Sequence, residues 1–239
     1  MEIIDISTFV GSWPNKAIDM SVERLLTLMR KHAISRALVV SAKGIWYDYI
    51  EGNTETMSLA RAREELIPVG TIDPRKYYKR GEVKRLKESG VKICRLFNDI
   101  QGWLIDYAPL RDIVEEFERY RMPFMIDVSK RGVATQVGRL AREVDVPIIM
   151  TSPGYDLMSE LIAVMRKNNN LFVEMRRINS PDVIEILAEE IGVERMVYGS
   201  NSPFDNVESS LLMLLGCDLT EREKEKIASG NIRNILGFR

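Results

Sequence analysis

Residues 2–14 of the chain read EIIDISTFVGSWP, an apolar segment that runs into polar residues. A continuous apolar run of this kind is typical of a parallel strand that is covered on both faces. Ser7 and Phe9 are two residues apart, so on a strand both side chains point to the same face. The stretch therefore predicts a strand over Glu2–Ser7, with Asp5 and Ser7 near its carboxyl end.

Short apolar runs of the same kind recur along the chain and alternate with helical patterns. They predict strands over Glu2–Ser7, Arg36–Ser41, Ile67–Thr71, Val91–Phe97, Pro123–Val128, Val146–Thr151, Leu171–Arg176 and Arg195–Ser200. Helices are predicted over Ser21–His32, Tyr77–Ser89, Leu110–Arg121, Gly132–Val144, Tyr155–Asn168, Pro181–Ile191 and Asn206–Leu215, with a final helix in Thr220–Arg239. Eight strand–helix units of roughly 30 residues predict an α/β fold, the closed (β/α)₈ TIM barrel, whose typical length is ~250 residues.

We expect one domain over residues 1–239, because no Pro/Gly/Ser-rich linker divides the chain. An open, doubly wound parallel sheet is the alternative architecture. No G-x-G-x-x-G sequence follows a predicted strand, which disfavours the dinucleotide-binding version of that sheet.

Composition restricts the classes of partner. Hydrophobic residues make up 45% of the chain, enough for a large core, and the net charge of −1 favours neither nucleic acid nor an anionic membrane. No apolar run reaches ~18 residues, so no membrane span is predicted. The chain starts without a signal-like segment, and Cys94 and Cys217 make no disulfide framework, so a cytoplasmic location is expected. Charged residues at 29%, with glutamine only at positions 101 and 136, indicate a thermophilic source.

The single histidine, His32, limits the metal chemistry that one chain can support. A site with two or three imidazole ligands cannot be built from it. His32 ends a predicted helix, where a cationic side chain interacts favourably with the helix dipole.

Polar side chains stand at the predicted carboxyl ends of the strands, where barrels of this kind form their sites. They are Asp5, Ser7, Ser41, Lys43, Asp73, Arg95, Asn98, Asp127, Ser129, Thr151, Ser152, Glu174, Arg176, Ser200, Asn201 and Ser202. Glu174 and Arg176 share one face of their strand. If that face is the lumen, the two form either a structural ion pair that fills the barrel or an anion-binding arginine held by its acidic neighbour.

Residues 45–52, IWYDYIEG, follow the second predicted strand and include three aromatic residues. We interpret this segment as a loop. It forms either a lid over the barrel mouth or a contact between subunits, which would make the protein a homo-oligomer.

Seven segments in this order carry a resemblance to a known family: IIDISTFVG (3–11), NTETMSLARAREELIPVGTIDPR (53–75), GVKICRLFNDIQGW (90–103), YRMPFMIDVS (120–129), VPIIMTSPGY (146–155), GVERMVYGSNSPFDN (192–206) and IASGNIRNILGF (227–238). The chain resembles the amidohydrolase-related, TIM-barrel metal-dependent hydrolases of the amidohydrolase superfamily. The resemblance covers nearly the whole length and implies the barrel fold and a hydrolase ancestry.

The same resemblance implies that five functional positions have changed. The D-x-H-x-H pattern of the family's first strand keeps its aspartate here but has Ser7 and Phe9 in place of the histidines. The histidines of the fifth and sixth strands fall on Asp127 and Ser152. The aspartate of G-S-D-x-P, which serves as ligand or general base, falls on Asn201 in GSNSPF.

These changes remove the family's usual metal ligands. Serine hydroxyls are poor zinc ligands and phenylalanine is none, so the loss of the metal centre is expected and no cofactor is predicted. A harder ion, Mg²⁺ or Mn²⁺, held by Asp5, Asp127 and Glu174 with waters, is the alternative. Asn201 is a neutral amide and cannot accept a proton from water.

Four functions follow, and a ligand-binding pseudoenzyme is the main expectation. It would bind a small anionic molecule at the carboxyl face of the barrel through Ser7, Lys43, Arg95, Ser152, Glu174, Arg176 and Asn201. A metal-independent hydrolase or lyase is the second, with Asp127 as general acid/base, because burial can raise the pKa of a carboxyl group. A structural protein with a lumen filled by Phe9 and a hydrolase with a carboxylate-held metal are the others.

Overall fold

The fold is built on parallel strands that alternate with helices. The computed structural model describes residues 1–176, 178, 180 and 182–238. The strands are β1 (Ile4–Val10), β2 (Arg36–Ser41), β3 (Leu66–Pro68), β4 (Gly70–Thr71), β5 (Cys94–Leu96), β6 (Phe124–Asp127), β7 (Ile148–Thr151), β8 (Leu171–Glu174) and β9 (Met196–Val197). They form two parallel sheets, in the orders β1-β2-β3 and β4-β5-β6-β7-β8-β9.

Backbone hydrogen bonds join the two sheets into one barrel. Val69, between β3 and β4, donates to the carbonyl oxygen of Val39, and Gly70 donates to that of Ile93, both at 3.1 Å. The third run of the chain therefore pairs with both of its neighbours. On the other side, the amide of Ile6 donates to Tyr198 (3.2 Å) and a parallel bridge joins Thr8 to Ser202. The predicted (β/α)₈ barrel is confirmed.

The helices lie mostly where periodicity predicts them. They are α1 (Val22–Lys31), α2 (Ala42–Trp46), α3 (Tyr49–Arg61), α4 (Glu82–Glu88), α5 (Asn98–Gln101), α6 (Ala108–Arg119), α7 (Val133–Leu140), α8 (Met158–Met165), α9 (Val183–Ile191), α10 (Val207–Gly216), α11 (Glu221–Glu225) and α12 (Asn231–Leu236). Ser21 caps α1 by accepting from the amide of Arg24 at 3.2 Å, and His32 is the C-cap of the same helix. The predicted bounds of this helix, Ser21 and His32, are therefore confirmed.

One loop prediction and the start of one predicted helix are wrong. Residues 45–52 do not form a loop, because they lie mainly in α2 and α3, where Asp48 caps α3 by accepting from the amides of Ile50 and Glu51. The helix predicted from Tyr77 begins instead at Glu82, after Gly81 in a left-handed conformation. The predicted start at Pro181 and the predicted end at Arg239 lie outside the described residues.

The core divides into two layers because strand side chains alternate between faces. One layer packs between the strands and the helices and includes Phe124, Ile126 and Ile148. The other fills the lumen and includes Met125 and Ile149. The next lumen-facing positions toward the carboxyl ends are polar, so the site lies directly above an apolar plug.

Among the described residues, none of the helices combines the length and the apolar character that a membrane span requires.

Candidate functional site

The carboxyl end of the lumen holds a buried guanidinium. Arg95, on β5, is 2% exposed. Its Nη1 donates to Oγ of Ser7 at 2.7 Å, and its Nη2 donates to Oδ1 of Asp127 at 3.1 Å. Its guanidinium carbon also lies 5.1 Å from the ring centroid of Phe9, within cation–π range. Residues from β1, β5 and β6 thus meet at one cation.

Asp127 is held in place by hydrogen bonds from several elements. Its Oδ1 accepts from Thr151 Oγ1 at 2.6 Å and from Ser152 Oγ at 3.3 Å, in addition to Arg95. Its backbone exchanges two hydrogen bonds with the side-chain amide of Asn98, at 3.0 and 3.1 Å. This carboxylate is therefore a rigid partner for the neighbouring guanidinium.

A second buried guanidinium lies beside the first. Arg176 is 4% exposed, and its Nε lies 3.5 Å from Oε2 of Glu174, which is fully buried. Its Nη2 donates to Oγ of Ser152, whose backbone amide donates to the same Glu174 oxygen at 2.9 Å. Glu174 and Arg176 thus lie side by side, as expected if their shared strand face is the lumen face.

The outward-facing nitrogen of Arg176 meets a carboxylate that sequence reasoning missed. Nη1 donates to Oδ2 of Asp205 at 2.7 Å, and Nδ2 of Asn201 donates to the same oxygen at 3.1 Å. The Asp205 side chain is 37% exposed, whereas that of Arg176 is 5% exposed. Its only sequence signal was its position four residues after Asn201, in the loop that follows the last strand.

Asp5 is a third buried carboxylate, but its partners are neutral. Its Oδ1 accepts from the amides of Ser7 (3.0 Å) and Ser200 (2.9 Å), and Oδ2 accepts from Ser200 Oγ. Burial raises the pKa of Asp5 to about 6, against the opposing effect of these hydrogen bonds, and Glu174 adds to the rise. Asp5 thus joins β1 to the segment that directly follows β9.

Aromatic rings cover the lumen above Phe9. Its ring centroid lies 5.9 Å from that of Trp13, 6.1 Å from Phe97 and 5.5 Å from Phe204. Trp13 lies 4.5 Å from Phe204 and 5.4 Å from Trp46. The cluster closes the centre of the barrel mouth and leaves the polar groups beneath it buried.

Open space lies beside this cover, between the ends of β8 and β9. A cavity of about 340 Å³ is lined by Arg176, Ser200, Phe204, Asp205, Asn206, Ser209 and Ser210. A neighbouring cavity of about 460 Å³ shares three of these residues. Of the two buried arginines, it is Arg176 that lines the first cavity.

The structure brings seven of the eight predicted site residues into this neighbourhood. Asn201 joins the hydrogen-bonded network through Asp205. The other six belong to the network directly: Ser7, Arg95, Asp127, Ser152, Glu174 and Arg176. Lys43 does not join it. That residue lies in α2, exposed, and its Nζ pairs with Glu51 at 2.5 Å, because the chain turns into a helix directly after β2.

The donor set does not suit the divalent ion that the resemblance implies. Two of the five positions are serines, one is phenylalanine and one is a neutral amide. The remaining carboxylate, Asp127, already pairs with Arg95, a cation that would repel a second one. Within residues 1–176, 178, 180 and 182–238, no three Asp, Glu, His or Cys side chains converge as a metal-binding group, and this includes Asp5, Asp127 and Glu174.

Comparison with known proteins identifies the lineage. A family model described as amidohydrolase matches residues 60–238. The chain belongs to the amidohydrolase family. The first strand, with Ser7 and Phe9, lies outside the matched residues, so its relation to the family's metal-binding strand rests on the motif in the sequence. No curated protein matches the chain.

Solved structures share the amidohydrolase fold over its full length. An uncharacterized TIM-barrel protein, Bb4693 from Bordetella bronchiseptica, has a TM-score of 0.80 and 15% identity, covering 100% of this chain and 99% of its own. A dihydroxybenzoic acid decarboxylase from Polaromonas sp. JS666, with bound manganese and the inhibitor 2-nitroresorcinol, has a TM-score of 0.78 and 13% identity (99% and 97% covered). The 5-carboxyvanillate decarboxylase of Sphingomonas paucimobilis has a TM-score of 0.78 and 12% identity (100% and 99% covered). At these identities the likeness establishes the fold.

Proposed function

We propose that this amidohydrolase-family barrel is a pseudoenzyme that binds a small anionic molecule without a divalent metal. The ligand carries a carboxylate or a phosphate group and occupies the cavity between the ends of β8 and β9. One observation carries the proposal: Arg176 and Asn201 donate to the same carboxylate oxygen, Oδ2 of Asp205, at 2.7 and 3.1 Å. Two donors that converge on one oxygen form a binding position for an anion.

The inner partners of Arg176 fix its guanidinium at this binding position. Glu174 and Ser152 hold Nε and Nη2, so the guanidinium is fixed before a ligand arrives, and Nη1 faces the cavity. A fixed donor loses less side-chain entropy on binding than a free one. In this structure the Asp205 carboxylate occupies the anion-binding position. The Asp205 side chain is partly exposed, which allows it to move aside.

The rest of the cavity supplies further polar groups. Ser209 and Ser210 line it, and both belong to the first turn of the ten-residue helix α10, whose N-cap is Asn206. The N-terminus of a helix favours negative charge. In TIM barrels, phosphate groups frequently bind between the loops after the seventh and eighth barrel strands, at the N-terminus of a nearby helix. Since β3 and β4 together form one barrel strand, β8 and β9 are the seventh and eighth, and the cavity lies beyond their ends.

The geometry favours binding over catalysis. The carboxylate of Asp127, the alternative general acid/base, is 4% exposed and accepts three hydrogen bonds on Oδ1. A general base must come within hydrogen-bond reach of the proton that it removes, and the cavity is lined by Arg176 rather than by Asp127. The position at which the family resemblance places a proton acceptor holds Asn201.

The test measures anion binding by calorimetry, with inorganic phosphate, acetate and succinate as probes, in wild type and in Asp205→Asn. Removal of the internal carboxylate is expected to tighten binding about tenfold, equivalent to ~1.4 kcal/mol. Arg176→Gln is expected to weaken binding by at least about tenfold. The matched control is Asp156→Asn, which removes a carboxylate from the exposed Arg131 pair and leaves binding unchanged.

Two results would contradict the proposal. One is the absence of binding by any probe to Asp205→Asn. The other is binding that Arg176→Gln leaves intact, which would place the anion elsewhere.

A further inference from the structure

The two buried arginines contact four of the five positions where the family resemblance places metal-site residues, and Asn201, the fifth, is linked to Arg176 through Asp205. Arg95 donates to Ser7 and Asp127 and lies over the ring of Phe9. Arg176 donates to Ser152 and shares the Asp205 oxygen with Asn201. Four groups that would face a metal ion in the family pattern therefore face a guanidinium here.

Arg95 is the more central of the two. It lies beneath the aromatic cover and, from β5, contacts side chains of two other strands, Ser7 of β1 and Asp127 of β6. Its guanidinium carbon lies 5.1 Å from the ring centroid of Phe9 and 5.0 Å from that of Phe97, so the ring faces add to its cation-binding environment.

A guanidinium in this position supplies the positive charge that a metal ion would supply in the family pattern. Arginine keeps its charge at every pH at which proteins are folded, and its planar fork can donate to two groups at once. A buried carboxylate such as Asp127 is costly unless a cation is beside it. In this lumen the chain provides the compensating positive charge covalently, through Arg95.

We propose that Arg95 takes the place of the family's metal ion, as a permanent internal cation on which Ser7, Phe9 and Asp127 are organised. The side chain at 95 and the acidic residue at 127 then form one electrostatic unit, whose guanidinium charge opposes the binding of a divalent ion. This inference does not depend on anion binding at Arg176, which can be present or absent in either case.

The first experiment measures metal content by plasma mass spectrometry. Untagged full-length protein is expressed with added zinc and manganese and then dialysed. We expect less than roughly a tenth of an equivalent of any transition metal, and no change in melting temperature with a chelator, because a resident metal would contribute to folding. Near one equivalent would overturn the proposal.

The second experiment is a double-mutant cycle on Arg95→Met and Asp127→Asn, with unfolding constants measured in urea. Each single variant leaves a buried charge without its partner, and we expect each to raise the unfolding constant about a hundredfold or more. The double variant removes both charges and is expected to lie within about tenfold of wild type. A folded double variant beside an unfolded single variant supports the same conclusion.

An exposed pair provides the control cycle. Arg111→Met and Glu143→Gln remove the ion pair between Arg111 and Glu143, whose side chains are 47% and 49% exposed. Here each single variant is expected to change the unfolding constant by less than about fivefold. Effects that simply multiply in the Arg95 and Asp127 double variant, as for independent sites, would overturn the proposal.

Discussion

The backbone at Gly199 passes directly against the carboxylate of Glu174. A Cβ added at 199 would lie 2.9 Å from the carboxyl carbon of Glu174 and 3.0 Å from its Cγ, with Oε1 closer still. Glu174 is fully buried and accepts from the amide of Ser152 while pairing with Arg176. Its burial and these two contacts oppose its displacement.

Gly199→Ala is accordingly expected to destabilise the protein. Displacing Glu174 would disturb its contacts with Arg176, so we expect a loss of about 2 kcal/mol or more in the free energy of unfolding. Urea denaturation followed by circular dichroism measures it. Gly216→Ala is the control, because a Cβ there meets no atom within 4 Å, and it is expected to be neutral or slightly stabilising. Equal stability of the two variants would show that Glu174 adjusts freely.

The hydroxyl of Thr151 is expected to stabilise the Asp127 carboxylate. Its hydrogen bond to Oδ1 is 2.6 Å long and buried. Thr151→Val keeps the shape of the side chain and removes the donor, so a loss of about 1.5–3 kcal/mol in the free energy of unfolding is expected, the range for hydrogen bonds to charged groups. Thr54→Val, which removes an exposed hydroxyl bonded to the carbonyl of Ile50, should change it by less than about 0.5 kcal/mol. A Thr151→Val variant as stable as this control would contradict the prediction.

Asp5 is expected to give the protein an unusual dependence of stability on pH. Burial raises its pKa to about 6 in the folded state, whereas the ordinary value applies in the unfolded chain. The folded state therefore binds the proton more tightly, and the free energy of unfolding falls as the pH rises from about 4 to about 6, then levels off. The total fall is about 3 kcal/mol, since one pKa unit corresponds to 1.36 kcal/mol.

Asp5→Asn tests this dependence. The amide oxygen can still accept from the backbone of Ser7 and Ser200, while the titration is removed. Denaturation measured at several values between about pH 4 and pH 8 should lose the falling segment, and the variant should exceed wild type in stability above about pH 6. A falling segment that persists in Asp5→Asn would assign it to another group.

Phe9→His would restore one histidine of the family pattern but is not expected to create a metal site. Arg95 would remain beside the new imidazole, and its charge opposes the approach of a divalent ion. The loss of ring contacts with Trp13 and Phe204 should cost about 2 kcal/mol of stability. Zinc titration followed by thermal melting measures both effects, with Phe9→Leu as the control. A zinc-dependent rise in the melting temperature of Phe9→His alone would contradict the prediction.

The sequence was sufficient to predict the barrel and most of the residues that meet in the candidate site. Continuous apolar runs and helical periodicity are local properties, so strands such as Arg36–Ser41 are predicted with their observed bounds. The spacing of Glu174 and Arg176 likewise places both on one face without knowledge of the fold. The same reasoning gave a wrong prediction for Lys43, because the helix that begins directly after its strand carries this side chain away from the lumen.

Only the tertiary structure decided which of these residues are partners. Ser7 and Arg95 are 88 residues apart in the chain, Arg95 and Asp127 are 32 apart, and Asp5 and Ser200 are 195 apart. Such contacts depend on the closure of the barrel and on the register of neighbouring strands, and no local pattern encodes either. The contacts of Asp205 could not be predicted for the same reason, because only the fold brings the two donors, Arg176 and Asn201, to this loop carboxylate.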